Sequence, residues 1–172
     1  GLIPLEIGTV TAISEVCREV GSLLVFDERV SGFRLARGGA AAWTGSTPDA
    51  AVYGSALGGG FPIGAVGFNV ERGDTEPGGD EILATPHSVS LAAAEAGLSI
   101  LKNDTTYHRL EERAAQLSDG ILNLADRFQR SIVVNRVGSV FALYLGVKKI
   151  ASVTAARRAD ADAYRRLVSG LR

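Results

Sequence analysis

The chain of 172 residues has no methionine, a single cysteine (Cys17), two histidines, and three lysines against fifteen arginines. One cysteine excludes an internal disulfide, and with two histidines it is too few for a zinc cluster of cysteine and histidine. Acidic and basic residues nearly cancel to a net charge of -1, which excludes a strongly basic surface for nucleic-acid phosphates. No apolar run approaches the roughly 18 residues of a membrane span. The composition therefore favours a cytoplasmic protein, in a reducing compartment, that binds neither membranes nor nucleic acids.

The ends of the chain suggest a piece of a longer polypeptide. The chain begins with glycine instead of methionine, and it stops inside a helical pattern that starts at Ala159. Its length is that of about one domain, and 46% of its residues are hydrophobic, which is enough to form a core. We therefore expect a processed, cloned or proteolysed part of a larger protein.

Hydrophobic periodicity predicts an α/β fold. Steps of three and four residues predict helices at 9–20, 88–102, 110–128 and 157–167, and short apolar runs predict strands at 23–26, 51–53, 63–68, 132–134 and 140–145. The first strand is apolar on both faces, which is typical of a parallel strand buried between helices. Helix and strand alternate through residue 102, and an antiparallel pair around Gly138 follows. We expect an α/β body followed by the start of a smaller α+β lobe.

Asp27 is the residue best placed to meet a ligand, because it ends a predicted buried strand and open α/β sheets bind ligands at the carboxyl ends of strands. A carboxylate that anchors a loop or caps a helix fits the position equally well. The glycines at 58–60 do not form a dinucleotide-binding motif, since Pro62 follows too soon. Ser55 lacks the second glycine of a hydrolase nucleophile motif, because Leu57 stands there, so a serine hydrolase using His87 and Asp27 is a remote alternative.

The other conspicuous residues have simpler interpretations. We expect Cys17 in the core, Trp43 and Tyr53 in the core or an interface, His87 at a helix entry, and His108 and the arginine pairs 157–158 and 165–166 in solvent. The Gly-rich segments 58–62 and 73–81 are predicted loops, and the second is predicted to be mobile.

Three segments form an ordered set of motifs: residues 24–34 (LVFDERVSGFR), 47–49 (TPD) and 54–65 (GSALGGGFPIGA). Residues 38–40 (GGA) and 135–139 (NRVGS) extend the set. Together they strongly resemble the class III aminotransferases, and within these the glutamate-1-semialdehyde aminomutases. The resemblance runs in order from Pro4 to about residue 145 without large gaps.

The resemblance implies a fold-type I homodimer that uses pyridoxal 5'-phosphate or pyridoxamine 5'-phosphate, with active sites at the subunit interface. Residues 1–104 would be part of the large domain (a mostly parallel sheet flanked by helices), 105–130 a connecting helix, and 131–172 the start of the small α+β domain. Asp27 would pair with the pyridine nitrogen and keep it protonated, so that the ring acts as an electron sink. Arg29 and Val30 would lie at the cofactor ring, and Thr85 would reach the cofactor phosphate of the opposite subunit.

The resemblance also shows departures from the family. It places the Schiff-base lysine at Ser55, and none of the three lysines, Lys102, Lys148 and Lys149, stands in a matching position. A serine hydroxyl neither forms the aldimine nor transfers protons as an amine does. Arg29 replaces an apolar residue that packs on the ring, and a second cation beside the ring nitrogen is unfavourable. The upstream half of the family's chain, with its phosphate-binding loop, has no counterpart, nor does the end of the small domain.

Four functions stay open at this point. The first is an aminotransferase-like domain that does not transaminate alone. The second is one piece of an enzyme of amino acids or keto acids, which works with a complementary chain or by lysine-free chemistry. The third is a structural or interaction role on the family's dimer surface, and the fourth is the serine hydrolase.

Overall fold

The computed structural model describes residues 1–6, 8–69 and 87–171. The predicted mobile loop at 73–81 and Thr85 lie outside these residues. In chain order the described elements are α1 (Thr9–Glu19), β1 (Val25–Glu28), α2 (Gly39–Thr44), β2 (Ala50–Tyr53), a 3-10 helix (Ser55–Gly58), β3 (Ala65–Phe68), α3 (Ser88–Leu101), α4 (Asp104–Arg127), β4 (Ile132–Val137), β5 (Val140–Leu145), α5 (Val153–Ala156) and α6 (Ala161–Gly170). In this part of the chain no helix combines the length and the apolar character that crossing a bilayer requires.

The chain divides into two compact units, Glu6–Tyr107 and Gly1–Leu5 with His108–Arg172. The domain boundaries that the resemblance implies, after residues 104 and 130, stay a prediction.

The unit Glu6–Tyr107 contains a three-stranded sheet in the order β1-β2-β3. Strands β1 and β2 are parallel, with Glu28 opposite Tyr53, whereas β2 and β3 are antiparallel. Parallel neighbours require a crossover, and this one contains the helix α2. The sequence analysis predicted no helix at α2, because Gly38 and Gly39 disfavour one and the segment is short, although the alanines that follow favour a helix.

Strand β1 differs from its prediction in position and in burial. It begins at Val25, two residues later than expected, so that Asp27 lies inside the strand. Val25 is 54% exposed, which corrects the expectation of a strand buried on both faces. Among the described strands β1 pairs only with β2, and it is therefore an edge strand. Successive side chains of a strand point to opposite faces, so Glu28 is buried while Asp27 faces solvent.

The second unit is built on an antiparallel hairpin, β4 and β5, as predicted around Gly138. Gly138 has a φ of 55°, which a tight turn between the strands requires. Asn135 donates to the carbonyl oxygens of Leu2 (3.0 Å) and Ile150 (3.2 Å), and the Tyr144 hydroxyl also donates to Leu2, at 3.0 Å. These bonds hold the first residues of the chain in this unit.

The predicted helix 157–167 is wrong at its start: α6 begins at Ala161, and a separate short helix, α5, lies before the predicted range at Val153–Ala156. Asp160 separates them, since its backbone N–H donates to the Leu145 carbonyl (2.8 Å) instead of continuing a helix. Its carboxylate then accepts from the Ala163 N–H at 2.8 Å and caps α6. The side chain thus starts the helix while the backbone is anchored to β5.

Candidate functional site

The candidate site lies at the carboxyl end of the β1–β2 pair. Asp27 is the third residue of β1, and Ser55 follows the end of β2 after one glycine, Gly54. Because the two strands are parallel and in register, their carboxyl ends adjoin at one edge of the sheet. The structure therefore brings Asp27, Arg29 and Ser55 to the edge where ligands of α/β sheets bind.

Asp27 is held by Arg29 through three hydrogen bonds. The guanidinium donates from Nε to Oδ1 at 2.8 Å and from Nη2 to Oδ2 at 2.7 Å, and the Arg29 backbone N–H donates to Oδ1 at 3.2 Å. The side-chain bonds, then the backbone bond, lower the pKa of Asp27 from 3.8 to about 2. The same pairing raises the pKa of Arg29. Both side chains are exposed, at 67% for Arg29 and 60% for Asp27, so the pair forms in contact with water.

Ser55 has a strained backbone. Its φ is 44°, in the left-handed region, where a residue other than glycine costs about 1–2 kcal/mol. Its hydroxyl accepts a long hydrogen bond, 3.5 Å, from Nη2 of Arg34. Such strain persists where surrounding structure enforces it, and it is common at functional positions. The position of Ser55 is therefore fixed by the fold and not by the preference of serine.

A family model of the class III aminotransferases matches residues 1–160. This chain belongs to that family. The glutamate-1-semialdehyde 2,1-aminomutase of Desulfotalea psychrophila is 34% identical over 170 residues, which cover 96% of this chain and 40% of that protein. An ω-transaminase from Sphaerobacter thermophilus is 28% identical, with a TM-score of 0.77 over 96% of this chain and 38% of its own. The FumI protein of Sphingopyxis sp. MTA144, solved in its internal aldimine form with pyridoxal phosphate, is 25% identical with a TM-score of 0.69. The match covers 82% of this chain and 34% of the FumI chain.

The comparisons confirm the family and the predicted fold class, part of a fold-type I aminotransferase of α/β type. This class III chain spans about two fifths of the length of the curated relatives that it matches. Pyridoxal phosphate is a cofactor of the family, as the aldimine form of FumI illustrates.

The described residues of this class III chain do not fit pyridoxal phosphate in the way that an internal aldimine requires. The position that the resemblance gives to the Schiff-base lysine holds the Ser55 hydroxyl, which forms no imine. Both oxygens of Asp27, the expected partner of the ring nitrogen, already accept hydrogen bonds from Arg29. No catalytic step through the cofactor follows from this arrangement.

The sequence analysis missed Glu28, which positions this edge of the class III fold. Its side chain is almost fully buried, at 1% exposure, and accepts from the backbone N–H groups of Ala40 and Ala41, both at 2.9 Å, and from the Ser31 hydroxyl. The carboxylate thereby ties the end of β1 to the first turn of α2. The sequence offered two signals: an acidic residue at the end of a strand, and two glycines before a run of alanines. Only the folded structure shows that the acidic side chain binds the N–H groups of the alanines.

A ring contact supports the same edge from the buried side. Phe33 and Tyr53 have centroids 5.4 Å apart, and the Tyr107 hydroxyl donates to the Phe33 carbonyl at 3.4 Å. Burial, and after it the charge of Glu28, raises the pKa of the Tyr53 phenol. Val30, expected at the cofactor ring, is 69% exposed, and its role stays a prediction, as does that of Thr85 outside the described residues.

The other residues singled out from sequence have structural positions. His87 caps α3, with its Nδ1 accepting from the Val89 N–H at 3.3 Å, and His108 is exposed, both as expected. Trp43 is 48% exposed in this chain and so does not belong to its core. Cys17 is half-buried in α1 and not in the core.

Proposed function

We propose that this chain is a class III aminotransferase domain of the glutamate-1-semialdehyde aminomutase type that does not transaminate by itself. The observation that carries the proposal is Ser55, held with a strained backbone directly after β2, where the resemblance places the lysine. A hydroxyl cannot carry a cofactor as an aldimine, and at neutral pH it is too weak a base to move the substrate proton.

Reductive trapping tests this proposal. The full chain is incubated with an equimolar amount of pyridoxal phosphate, reduced with borohydride, digested and analysed by mass spectrometry. We expect no stoichiometric adduct on any peptide of the wild-type chain. An adduct at one of its three lysines, in a stoichiometric yield, would refute the proposal and show that the lysine position is misassigned.

Two lysine variants make the result interpretable. Ser55→Lys restores an amine at the proposed position, while Ser169→Lys adds one on the exposed face of α6. The first variant measures whether the backbone geometry after β2 still favours an aldimine, and the second measures the background reaction of any surface lysine.

A second candidate function is that of one piece of an enzyme for amino acids or keto acids, completed by a second copy or a complementary chain. It is favoured by an exposed sheet face. The strand register puts Val25, Phe68 and Val66 on one face together with Asp27, and these three apolar side chains are 54%, 41% and 55% exposed. Apolar side chains that share a sheet face are normally covered by another layer.

Light scattering of the purified chain tests this second function. We expect concentration-dependent self-association that Val66→Lys weakens, because the substitution places a charge in the centre of the exposed face. As a matched control, Val153→Lys changes an equally exposed valine (59%) in the other unit. A monomer at all concentrations with a sharp, cooperative unfolding transition would contradict completion by a second copy of the chain.

A further inference from the structure

We propose that Arg29 is a permanent counter-cation that pairs with Asp27 and thereby opposes the binding of pyridine-type cofactors at this edge of the sheet. The inference concerns the same site as the proposed function, rests on that function, and takes from the resemblance the assignment of Asp27 to the ring nitrogen. It adds a second barrier that is independent of Ser55, since it acts on the ring nitrogen and not on the aldehyde.

The first argument is the hydrogen-bond geometry. Arg29 meets Asp27 as a fork, with Nε on one oxygen at 2.8 Å and Nη2 on the other at 2.7 Å. Forked pairs between arginine and a carboxylate are the strongest type of surface ion pair, and here the Arg29 backbone N–H adds a third bond. Because the two residues are only two positions apart in the chain, forming the pair costs little backbone conformational entropy. Three of the roughly four acceptor sites of the carboxylate are thereby taken, so a ring N–H finds only the remaining site on Oδ2, directly beside the guanidinium.

The second argument is the position of the Arg29 stem. A methyl group built on Gly54 would lie 3.7 Å from Cγ of Arg29 and 4.0 Å from its Cβ. The stem therefore lies beside Gly54, the residue before Ser55, while the guanidinium binds Asp27. Arg29 thus lies between the Asp27 carboxylate and the residue next to the proposed lysine position.

The third argument is charge. A guanidinium stays protonated at all ordinary pH values, whereas a pyridinium can lose its proton. With the one negative charge of Asp27 already shared with Arg29, a ring nitrogen placed there is pushed towards its neutral form. A neutral ring loses its use as an electron sink, so Arg29 opposes both binding of the ring and its activation.

The substitution Arg29→Leu, which restores an apolar residue, tests the inference in the full chain. Arg109→Leu is the control, because it removes an exposed arginine from α4 in the other unit with the same change of net charge. The first readout is a carboxyl carbon NMR titration of Asp27. We expect a pKa of about 2 in the wild type and in the control, and a value near 4 in Arg29→Leu. An ordinary pKa in the wild type would overturn the inference.

The second readout is a titration with pyridoxamine phosphate, followed by its fluorescence. This ligand has no aldehyde and needs no lysine, so the result is independent of the trapping experiment on Ser55. We expect Arg29→Leu to bind about tenfold more tightly than the wild type and the Arg109→Leu control, since the freed carboxylate can accept one more charge-assisted hydrogen bond, which is worth about a factor of ten. The gain should disappear in the double variant Arg29→Leu, Asp27→Asn.

The outcomes separate the two proposals. Equal affinities of wild type and Arg29→Leu, or no binding by either, would show that Arg29 is not what closes the site. A covalent adduct in the trapping experiment would refute the proposed function and remove the second argument, whereas the affinity comparison would still decide whether Arg29 opposes the ring at Asp27.

Discussion

Substituting Gly39 by alanine tests whether the buried Glu28 carboxylate organises the candidate site. Gly39 is the first residue of α2 and has a φ of 64°. A methyl group built on it would overlap the Glu28 carboxylate and would lie 2.6 Å from its Cδ. The carboxylate is buried and cannot turn into solvent, so the substitution must displace it from the N–H groups that it binds.

The structure gives the size of the effect. An alanine in the left-handed region costs about 1–2 kcal/mol. A hydrogen bond to a charged group contributes about 1.5–3 kcal/mol, so losing one or two of the bonds from Ala40 and Ala41 adds about 2–5 kcal/mol. A domain has a total stability of about 5–15 kcal/mol, so Gly39→Ala should remove a large fraction of it.

Gly45→Ala provides the matched control. Gly45 ends α2 with a φ of 67°, and nothing lies within 4 Å of a methyl group built on it. Both variants place an alanine at a left-handed backbone position, so the difference between their free energies of unfolding measures the cost of the overlap with Glu28. Urea unfolding of the full chain, followed by circular dichroism, should show Gly39→Ala to be less stable than Gly45→Ala by about 2–5 kcal/mol. Free energies of unfolding that agree within about 0.5 kcal/mol would refute the assigned role of Glu28.

Three further predictions follow from contacts in the two units. Because the pKa of Asp27 is lowered, its pair with Arg29 stabilises the fold above about pH 4, and this contribution is lost as the pH falls towards 2. The urea midpoints of wild type and Arg29→Leu should therefore converge over that pH range, and also in high salt. A difference in midpoint that persists at about pH 2 would contradict the pairing. Asn135→Ala should cost about 1–3 kcal/mol, since it removes two bonds to backbone carbonyls, whereas Tyr144→Phe removes one and should cost about 1 kcal/mol; equal unfolding midpoints for the two variants would count against the first. Asp160→Ala should cost about 1 kcal/mol and reduce the helical signal at 222 nm, as loss of an N-cap does; an unchanged spectrum and midpoint would mean that α6 does not depend on this cap.

Local patterns in the sequence were sufficient for most elements. Helix α1 and strand β2 lie within a residue of their predictions, because each depends on a short apolar period that the backbone satisfies by itself. The β4–β5 hairpin was predicted for a similar reason, since Gly138 supplies the left-handed turn. Helix α4 is six residues longer at its start than the apolar steps indicated, since Asp104 begins a polar first turn that carries no hydrophobic period.

The errors lie where distant residues determine local structure. Helix α2 has six residues, and its first N–H groups are satisfied by Glu28, twelve and thirteen residues earlier in the chain. The start of α6 at Ala161, four residues later than predicted, depends on a bond from Asp160 to Leu145, fifteen residues away. The hydrophobic period of a single segment carries no information about either of these long-range hydrogen bonds.

The sequence by itself determined the family, most of the helices and strands, and the placement of Asp27 and Ser55 near the carboxyl ends of two successive strands, because motifs and apolar periods are local properties. The resemblance to the family also placed Arg29 where the family has an apolar residue. Only the tertiary structure decided that Arg29 turns back onto Asp27, that its stem lies on Gly54, and that Glu28 binds the start of α2. These features depend on which side chains the parallel β1–β2 pair brings to one edge, and that is fixed by the packing of the whole unit.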